Sequence, residues 1–447
     1  MNNRVFPGKI LLHTIESYRC VPPQIYLLAA ARAINSLGSF VILLVTIILS
    51  DAFGLGEAAA GRIIFACAVA HALGTLTAGS MLDRIPRHHA FVLMMSGHAL
   101  AFAAAAFAPS IHLLAPLLVA GFFCGGMLRP GVASMAVDYT DESNRLPAFS
   151  LIYLAHNMGM IAAPLFAGTL YGRRAEWVFW GDAVSTLLCA ALVFAVARRW
   201  ALPQFRSRIA GSESAAPTAS QADAPSIPQV AAPEATQVAD PGHRRSSAPV
   251  LLLILSVPSL LYFSLGNIVI NLVYSQHMFA LPLRMLELFG TEGPFRYSLL
   301  LTANAVTVIA LTGFVTVWSR SLKAETAMMI AGALFGVGLG LVGAFTGFTP
   351  QIALVVVWTV GEILTVTHTG VFVANQAPPE QRARFLATMP TIWGLGTALG
   401  PFVFGPIAEG FGLGVVWPIL AVAALLGVLL FGYARRRAAS PARNLVR

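Results

Sequence analysis

The chain has 447 residues, of which 57% are hydrophobic and only 11% charged, and its mean hydropathy is +0.75. Soluble domains carry about 25% charged residues, so this composition excludes an ordinary soluble protein. The apolar residues fall into stretches of about 20, the length at which an α-helix crosses a bilayer. We therefore predict an all-α polytopic membrane protein.

The net charge of +9 is concentrated on one set of alternate loops and on the C-terminal tail. This asymmetry follows the positive-inside rule, so we expect the basic loops and both termini in the cytoplasm, with the protein in the inner, or plasma, membrane. Because no soluble domain carries a basic patch, we expect the lipid bilayer as a partner and no nucleic acid. The basic set comprises Arg84, Arg87, Arg145, Arg198, Arg199, Arg320, Lys323, Arg382, Arg384 and Arg435 to Arg437.

Twelve spans are predicted along the chain, six on either side of a linker. Residues 1–24 mix charged with apolar positions, which is typical of an amphipathic helix on the inner membrane surface. An N-terminal six-helix bundle (25–200) and a C-terminal one (249–434) are joined by residues 201–248, whose Ala, Pro, Ser and Gln predict a flexible cytoplasmic linker, and residues 435–447 are a cytoplasmic basic tail. The spans are roughly 25–50, 59–82, 90–108, 111–136, 147–171, 176–197, 249–278, 295–319, 324–347, 350–376, 384–409 and 413–434.

The two halves repeat one another. The fifth span contains Gly159-x4-Pro164-x3-Gly168, and the eleventh contains Gly396-x4-Pro401-x3-Gly405. Arg145 and Arg382 each lie fourteen residues before the first glycine of their copy. Within one residue of the same register, Arg320 matches Arg84 and Lys323 matches Arg87, although the second copy lacks the acid Asp83. Two parallel six-helix repeats are an arrangement of transporters, in which a site at the repeat interface opens alternately to each side.

A short charged hairpin, Gly79-x3-Asp83-Arg84-x-Pro86-Arg87-His88, joins the second and third spans. It resembles the loop signature G-x3-D-R-x-G-R-R of the major facilitator superfamily, with Pro86 and His88 in place of the usual glycine and second arginine. The glycine-proline pattern of the fifth span loosely resembles the signature of antiporters in that superfamily, although Ala163 stands where Gly-Pro is expected. The resemblance covers the chain except its linker and tails, and is nearest to the twelve-helix proton-linked drug exporters.

The resemblance implies a fold of two six-helix bundles and transport of a small molecule rather than enzymatic activity. It implies the proton gradient as the energy source, with no cofactor. It also implies that Gly79, Asp83, Arg84 and Arg87 form a gating motif, in which a lock between the second and eleventh spans holds one conformation. Arg382 or Arg384 is the expected partner of the lock. The alternative is a solvated loop that only sets the topology.

Glu362 lies near the middle of the tenth span. An ionised carboxylate there costs about 2.5–3.5 kcal/mol, and binding a proton removes most of that cost. Glu362 is therefore a candidate proton carrier, and a permanently protonated or paired structural glutamate is the alternative. Asp182, near the outer end of the sixth span, is a second candidate for proton coupling. The alternative is that Asp182 is solvated or pairs with Arg173 or Arg174.

Two arginines also lie inside spans and could line a central cavity. Arg129 precedes Pro130-Gly131 in the fourth span, where a broken hydrogen-bond ladder and a cation could shape the cavity wall. Arg32, in the first span, either faces the cavity or extends its head to the inner surface. We also assign to the cavity the polar residues Tyr262, Asn267, Asn304 and His368. The alternative is that each only forms a hydrogen bond between helices.

Several chemistries have no motif in the sequence. No phosphate-binding loop, nucleophile elbow or H-E-x-x-H is present, so we expect neither an ATP-driven pump nor an enzyme. Cys67, Cys124 and Cys189 lie inside apolar runs without paired spacing, so no metal site is expected.

The sequence predicts a secondary active transporter that acts as a monomer. Its expected task is proton-coupled export (antiport, efflux) of small amphipathic compounds or drugs, as in multidrug resistance, by rocking one bundle against the other. A proton symporter or facilitator that imports a metabolite is the nearer alternative. The alternative of another class is a sensor or assembly partner that does not transport.

Overall fold

The computed structural model describes residues 20–141, 144–199, 257–377 and 382–439, and the described residues are helical without a β-strand. The amphipathic segment 1–19, the linker 201–248 and the tail beyond residue 439 lie outside them. The helices of the N-terminal bundle are α1 (Pro23–Leu37), α2 (Phe40–Ile47), α3 (Glu57–Arg84), α4 (Arg87–Ala105), α5 (Ile111–Gly125), α6 (Leu128–Asp138), α7 (Arg145–Arg173) and α8 (Glu176–Arg199).

In its described part, the C-terminal bundle has six long helices and one short one. Its helices are α9 (Pro258–Tyr274), α10 (Ala280–Phe289), α11 (Gly293–Ser319), α12 (Ala324–Gly340), α13 (Phe348–Gln376), α14 (Arg382–Phe411) and α15 (Leu413–Ala439). The structure thus confirms an all-α fold. Because α15 runs to Ala439, Arg435 to Arg437 belong to a helix, and the boundary of the cytoplasmic tail stays a prediction.

Within the described residues, ten stretches are long and apolar enough to cross a membrane, judged by length and composition. One of them, Pro258–Ser319, is 62 residues long and contains α9, α10 and α11. The 19-residue helix α4 is not among the ten. The count of twelve crossings stays a prediction.

Two predicted spans are each broken into two helices. The first span breaks between α1 and α2, and the fourth breaks between α5 and α6. The second break has a local cause: Pro130 has no N–H, so the carbonyl of Gly126, four residues earlier, lacks its helical donor. The Thr75 hydroxyl of α3 donates a hydrogen bond to that carbonyl at 3.1 Å instead. The backbone polar group freed by proline is therefore satisfied inside the protein, as a membrane interior requires.

The two bundles meet at one end of the molecule, where α3 packs on α14 and α7 packs on α11. The largest hydrophobic cluster runs from this end of the N-terminal bundle into the C-terminal bundle. The Thr46 hydroxyl also donates to the Met278 carbonyl across the interface at 2.7 Å. We call this the closed end. At the other end, which carries Arg84 and Arg145 and which we call the basic end, the described part of the N-terminal bundle has a hydrophobic cluster of its own that includes no residue of the C-terminal bundle.

Candidate functional site

Glu362 lies where three helices of the C-terminal bundle converge. On the same face of α13, one turn earlier, is Thr359, and facing both is Asn304 of α11. The Asn304 amide donates hydrogen bonds to Glu362 Oε2 and to Thr359 Oγ1, each at 2.9 Å. The Tyr274 hydroxyl, from the end of α9, lies beside the Glu362 carboxylate and is placed to donate to it.

An aromatic shell fixes Tyr274 against this carboxylate. The Tyr274 ring centroid lies 4.2 Å from that of His277, 5.5 Å from that of Phe335 and 5.9 Å from that of Trp358. Tyr297 donates to the His277 carbonyl at 3.1 Å and so holds the turn after α9. Glu362 itself keeps part of its surface accessible. Since both donors to the carboxylate are neutral groups, the recorded contacts leave it able to accept a proton from the accessible side.

A second group of ionisable residues lies in the N-terminal bundle. Arg32 of α1 is 9% exposed, and its guanidinium donates to Asn35 Oδ1 at 3.3 Å, so its head does not extend to the membrane surface. Arg129 of α6 is exposed and close enough for its charge to act on Arg32, on His71 of α3 and on His156 of α7. We call Arg32, Arg129, His71 and His156 the cationic cluster.

Asp182 of α8 is buried, and neither solvent nor Arg173 or Arg174 is its partner. Only 4% of the residue is exposed, and its Oδ2 accepts the Val41 N–H at 3.1 Å, near the start of α2. Its Oδ1 lies 3.2 Å from His98 Nε2. A chain of hydrogen bonds runs from Asp182 through Thr186 and Asn35 to Arg32.

The glycine-proline repeats form equivalent contacts in the two halves. A Cβ at Gly159 of α7 would lie 2.6 Å from the Ala33 carbonyl of α1, and one at Gly396 of α14 would collide with the Ile268 carbonyl of α9. Gly168 of α7 packs in the same close way on α11, and Gly405 of α14 packs on α3. Pro164 and Pro401 lie inside α7 and α14. The repeat seen in the sequence is therefore a repeat of helix contacts.

The charged hairpin makes its clearest contact inside the N-terminal bundle. Arg87 forms an ion pair with Asp138 at the end of α6 and donates to the Ser134 carbonyl at 2.9 Å. Gly79, Asp83 and Arg84 are exposed at the basic end. The side chains of Arg382 and Arg384 lie outside the described residues, so the lock stays a prediction.

The remaining cavity candidates do not share one surface. Asn304 joins Glu362, as described above. Asn267 is 0% exposed, and His368 is 6% exposed with its Nε2 2.9 Å from Ser319 Oγ, so neither lines an accessible cavity in this conformation. Tyr262 stacks on Tyr433 of α15, with ring centroids 5.7 Å apart.

Several residues of these contacts were missed by sequence reasoning. Asp138 gave the signal of an acid at the basic end of the fourth span. Tyr274 and Glu409 lie at predicted span ends, where Tyr and Glu are ordinary. The Glu409 carboxylate of α14 accepts the Ala58 N–H of α3 at 2.8 Å across the bundle interface.

The family model of the Major Facilitator Superfamily matches residues 28–374, which is more than half of the chain. The chain belongs to the major facilitator superfamily. It is therefore a multi-pass membrane transporter and not an enzyme.

Individual proteins agree with this assignment. The transporter is 24% identical over 359 residues to the MFS-type transporter YhjO of Bacillus subtilis (strain 168), covering 80% of each chain. It is 25% identical over 401 residues to the gallate transporter of Pseudomonas putida, covering 86% of each. An auto-inhibited peptide transporter of the POT family has the same fold, with a TM-score of 0.71 at 17% identity, covering 95% of this chain and 99% of that one.

Proposed function

We propose that the protein is a proton-coupled secondary transporter of small amphipathic compounds, in which Glu362 carries the proton. The observation that supports this most is the partly accessible Glu362, held by the neutral donors Asn304 and Tyr274. A carboxylate so placed is costly while ionised, which favours proton exchange whenever water reaches it. The proposed export direction, by antiport, is supported by the resemblance of the glycine-proline pattern in α7 to the signature of antiporters in the superfamily.

Alternating access is the proposed mechanism, in the inner membrane with both termini cytoplasmic. In that topology the basic end faces the cytoplasm, and the bundle contacts at the closed end make this an inward-facing conformation. The close contacts of Gly159 and Gly396 within each bundle, and of Gly168 and Gly405 between bundles, are surfaces on which the bundles can rock. Protons and a small-molecule substrate are the proposed partners, and the proposed assembly is a monomer.

The proton gradient is large enough for this task. One charge that crosses 100 mV releases about 2.3 kcal/mol, and a tenfold concentration gradient requires about 1.4 kcal/mol. One net charge per cycle therefore supports a concentration gradient of the substrate of under about a hundredfold. Larger accumulation requires a pH difference or a second charge.

Import by proton symport is a second candidate, and the similarity to a transporter of gallate favours it. The two candidates differ in the direction of proton flow relative to substrate. A proton that enters as substrate leaves indicates antiport, and a proton that enters with substrate indicates symport.

The decisive measurement is flux in proteoliposomes with an imposed pH gradient. Three compounds share a naphthalene body and differ in charge: naphthalene-1-sulfonate, naphthalene-1-sulfonamide and 1-naphthylmethylammonium. We expect Glu362→Gln to abolish proton-driven accumulation of the transported compound while exchange at equal concentrations continues. Glu287→Gln, which changes an exposed acid on α10 that pairs with Arg284 of its own helix, is the matched control. Unchanged proton-driven flux in Glu362→Gln would show that Glu362 is not the proton carrier. If none of the three compounds is transported under any gradient, the proposed substrate class is refuted.

A further inference from the structure

We propose that the substrate is an amphipathic organic anion, whose anionic head binds Arg32 and Arg129 in the space between the bundles. This inference rests on the proposed transport through that space and names the substrate class. It is carried by the position of the cationic cluster, by the groups around Arg32 and by the repeat.

Two of the four helices that carry the cationic cluster contact the other bundle. The four residues of the cluster come from α1, α3, α6 and α7, and α3 and α7 are the helices through which the N-terminal bundle contacts α14 and α11. Arg129 is exposed, whereas Arg32 is largely buried. A ligand that enters between the bundles therefore meets Arg129 first and reaches Arg32 after it.

Two guanidinium groups near each other in a membrane-spanning region repel each other, and an anion bound between them relieves that repulsion. The recorded partner of Arg32 is the neutral amide of Asn35, and no ion pair to Arg32 is found among the described residues. The acid connected to it, Asp182, has its oxygens engaged by the Val41 N–H, Thr186 and His98. A carboxylate or sulfonate can accept two parallel hydrogen bonds from one guanidinium, which makes arginine better suited than lysine to hold it.

The repeat places this anion site and the proton site at a similar depth. An offset of 237 residues relates Gly159 to Gly396 and Arg145 to Arg382. The same offset carries Arg129 to position 366, four residues after Glu362, which is about one helical turn. The N-terminal half therefore presents a cation where the C-terminal half presents an acid.

This arrangement couples the two ligands. An ionised Glu362 repels an anionic head, and a protonated Glu362 does not, so anion and proton favour each other's binding by the same factor. For an anionic substrate such coupling therefore favours the second candidate, import by proton symport, over the export by antiport that was proposed first. Symport of one monoanion with one proton moves no net charge, so its rate should not respond to a membrane potential.

Equilibrium binding to the full-length purified protein tests the substrate class without any gradient. We expect naphthalene-1-sulfonate to bind saturably and the neutral sulfonamide to bind at least about tenfold more weakly, because the sulfonamide loses a charge-assisted hydrogen bond. Arg129→Gln should raise the Kd of the sulfonate by about tenfold or more, and Arg129→Lys should lie between the two. The exposed Arg62 of α3 lies outside the cationic cluster, so Arg62→Gln is the matched control and should leave the Kd unchanged.

Arg129 is the position of choice because its side chain is exposed, whereas a variant of the buried Arg32 could fail to fold. Equal affinity for sulfonate and sulfonamide, an unchanged Kd in Arg129→Gln, or no saturable sulfonate binding each overturns the inference. Binding that follows this pattern while Glu362→Gln keeps proton-driven flux instead refutes the proposed coupling and leaves the anion site standing.

Discussion

Asp182 and Glu362 are both acids within helices of the bundles, yet their surroundings differ. The Gly121 carbonyl lies 2.8 Å from His98 Nδ1 and can only accept, so Nδ1 carries a proton. The contact of His98 Nε2 with Asp182 then needs a further proton between the two groups. This pair is enclosed and ties α4 to α8, whereas Glu362 keeps an accessible side. This geometry favours a structural role for Asp182 and agrees with the proposal that Glu362 carries the proton.

Substitutions at Asp182 separate these roles. Asp182→Asn should unfold with a free energy within about 1 kcal/mol of the wild type, because an amide can accept the Val41 N–H and donate to a neutral His98. Asp182→Ala leaves both groups unsatisfied and should lose roughly 2–5 kcal/mol. Thermal unfolding followed by tryptophan fluorescence measures the difference. Loss of proton-driven accumulation in a well-folded Asp182→Asn protein would instead make Asp182 a coupling group.

The sequence could identify such residues more easily than their partners. An acid inside an apolar run, such as Glu362, stands out because its burial is costly. The pairing of Glu362 with Asn304, or of Asp182 with His98, depends on how helices far apart in the chain are rotated against each other. Hydropathy along a single sequence carries little information on that rotation, since a buried helix is apolar on most sides. Asn304 was among the candidates because the seventh and eighth spans of the fold that the sequence resembles face the cavity.

At the scale of the helices, the number of apolar segments was easier to predict than their interruptions. The break after α5 has a sequence signal in Pro130, but its compensation by Thr75 requires the neighbouring helix. The short helix α10 was not predicted, because the segment between the seventh and eighth spans is too short and too polar for a crossing. Its buried face includes Leu281, Pro282 and Leu283, and it packs against α2 at the closed end.

Glu409 joins two helices across the closed end. Its carboxylate accepts the Ala58 N–H in the first turn of α3, where the helix dipole favours a negative charge. Because α14 and α3 belong to different bundles, this cap exists only while the closed end is closed. Glu409 therefore stabilises the present conformation relative to one that is open at this end.

Glu409→Gln should shift the balance of conformations without unfolding the protein. Loss of a charge–dipole interaction of about 0.3–1 kcal/mol raises the population open at this end by roughly two- to fivefold. Distances between spin labels at positions 52 and 410, measured after the 4 native cysteines are replaced, report this population. Glu287→Gln is the control, because that acid pairs within its own helix. An identical distance distribution in Glu409→Gln and wild type would show that the cap does not contribute to closure.

At the scale of the whole molecule, the two halves share a framework and differ in their charges. The glycine contacts are equivalent, with α7 on α1 and α14 on α9 within the bundles, and α7 on α11 and α14 on α3 between them. The repetition of one half of the chain in the other was therefore visible in the sequence. The conformation was not, because the proposed alternating access requires the same helices to pack in at least two ways, and one sequence encodes both.

The acid of the hairpin distinguishes the halves at the basic end. Asp83 has no counterpart in the second copy, and it is exposed here, where the N-terminal bundle packs separately. A lock between Asp83 and α14 requires the basic end to close. We therefore expect the lock in the opposite conformation, which it would stabilise by about 1.5–3 kcal/mol as a charge-assisted hydrogen bond.

Asp83→Asn should lower the population closed at the basic end by about tenfold or more and slow transport, while membrane insertion stays normal. Spin labels at the exposed positions 80 and 391 report the closure, and proteoliposome flux reports the rate. Glu325→Gln, a matched change in the first turn of α12, controls for loss of an acid at this end. Since Arg87 is held by Asp138 within the N-terminal bundle, Arg87→Gln should instead reduce the stability of that bundle. Normal flux and normal closure in Asp83→Asn would leave the hairpin with only its role in topology.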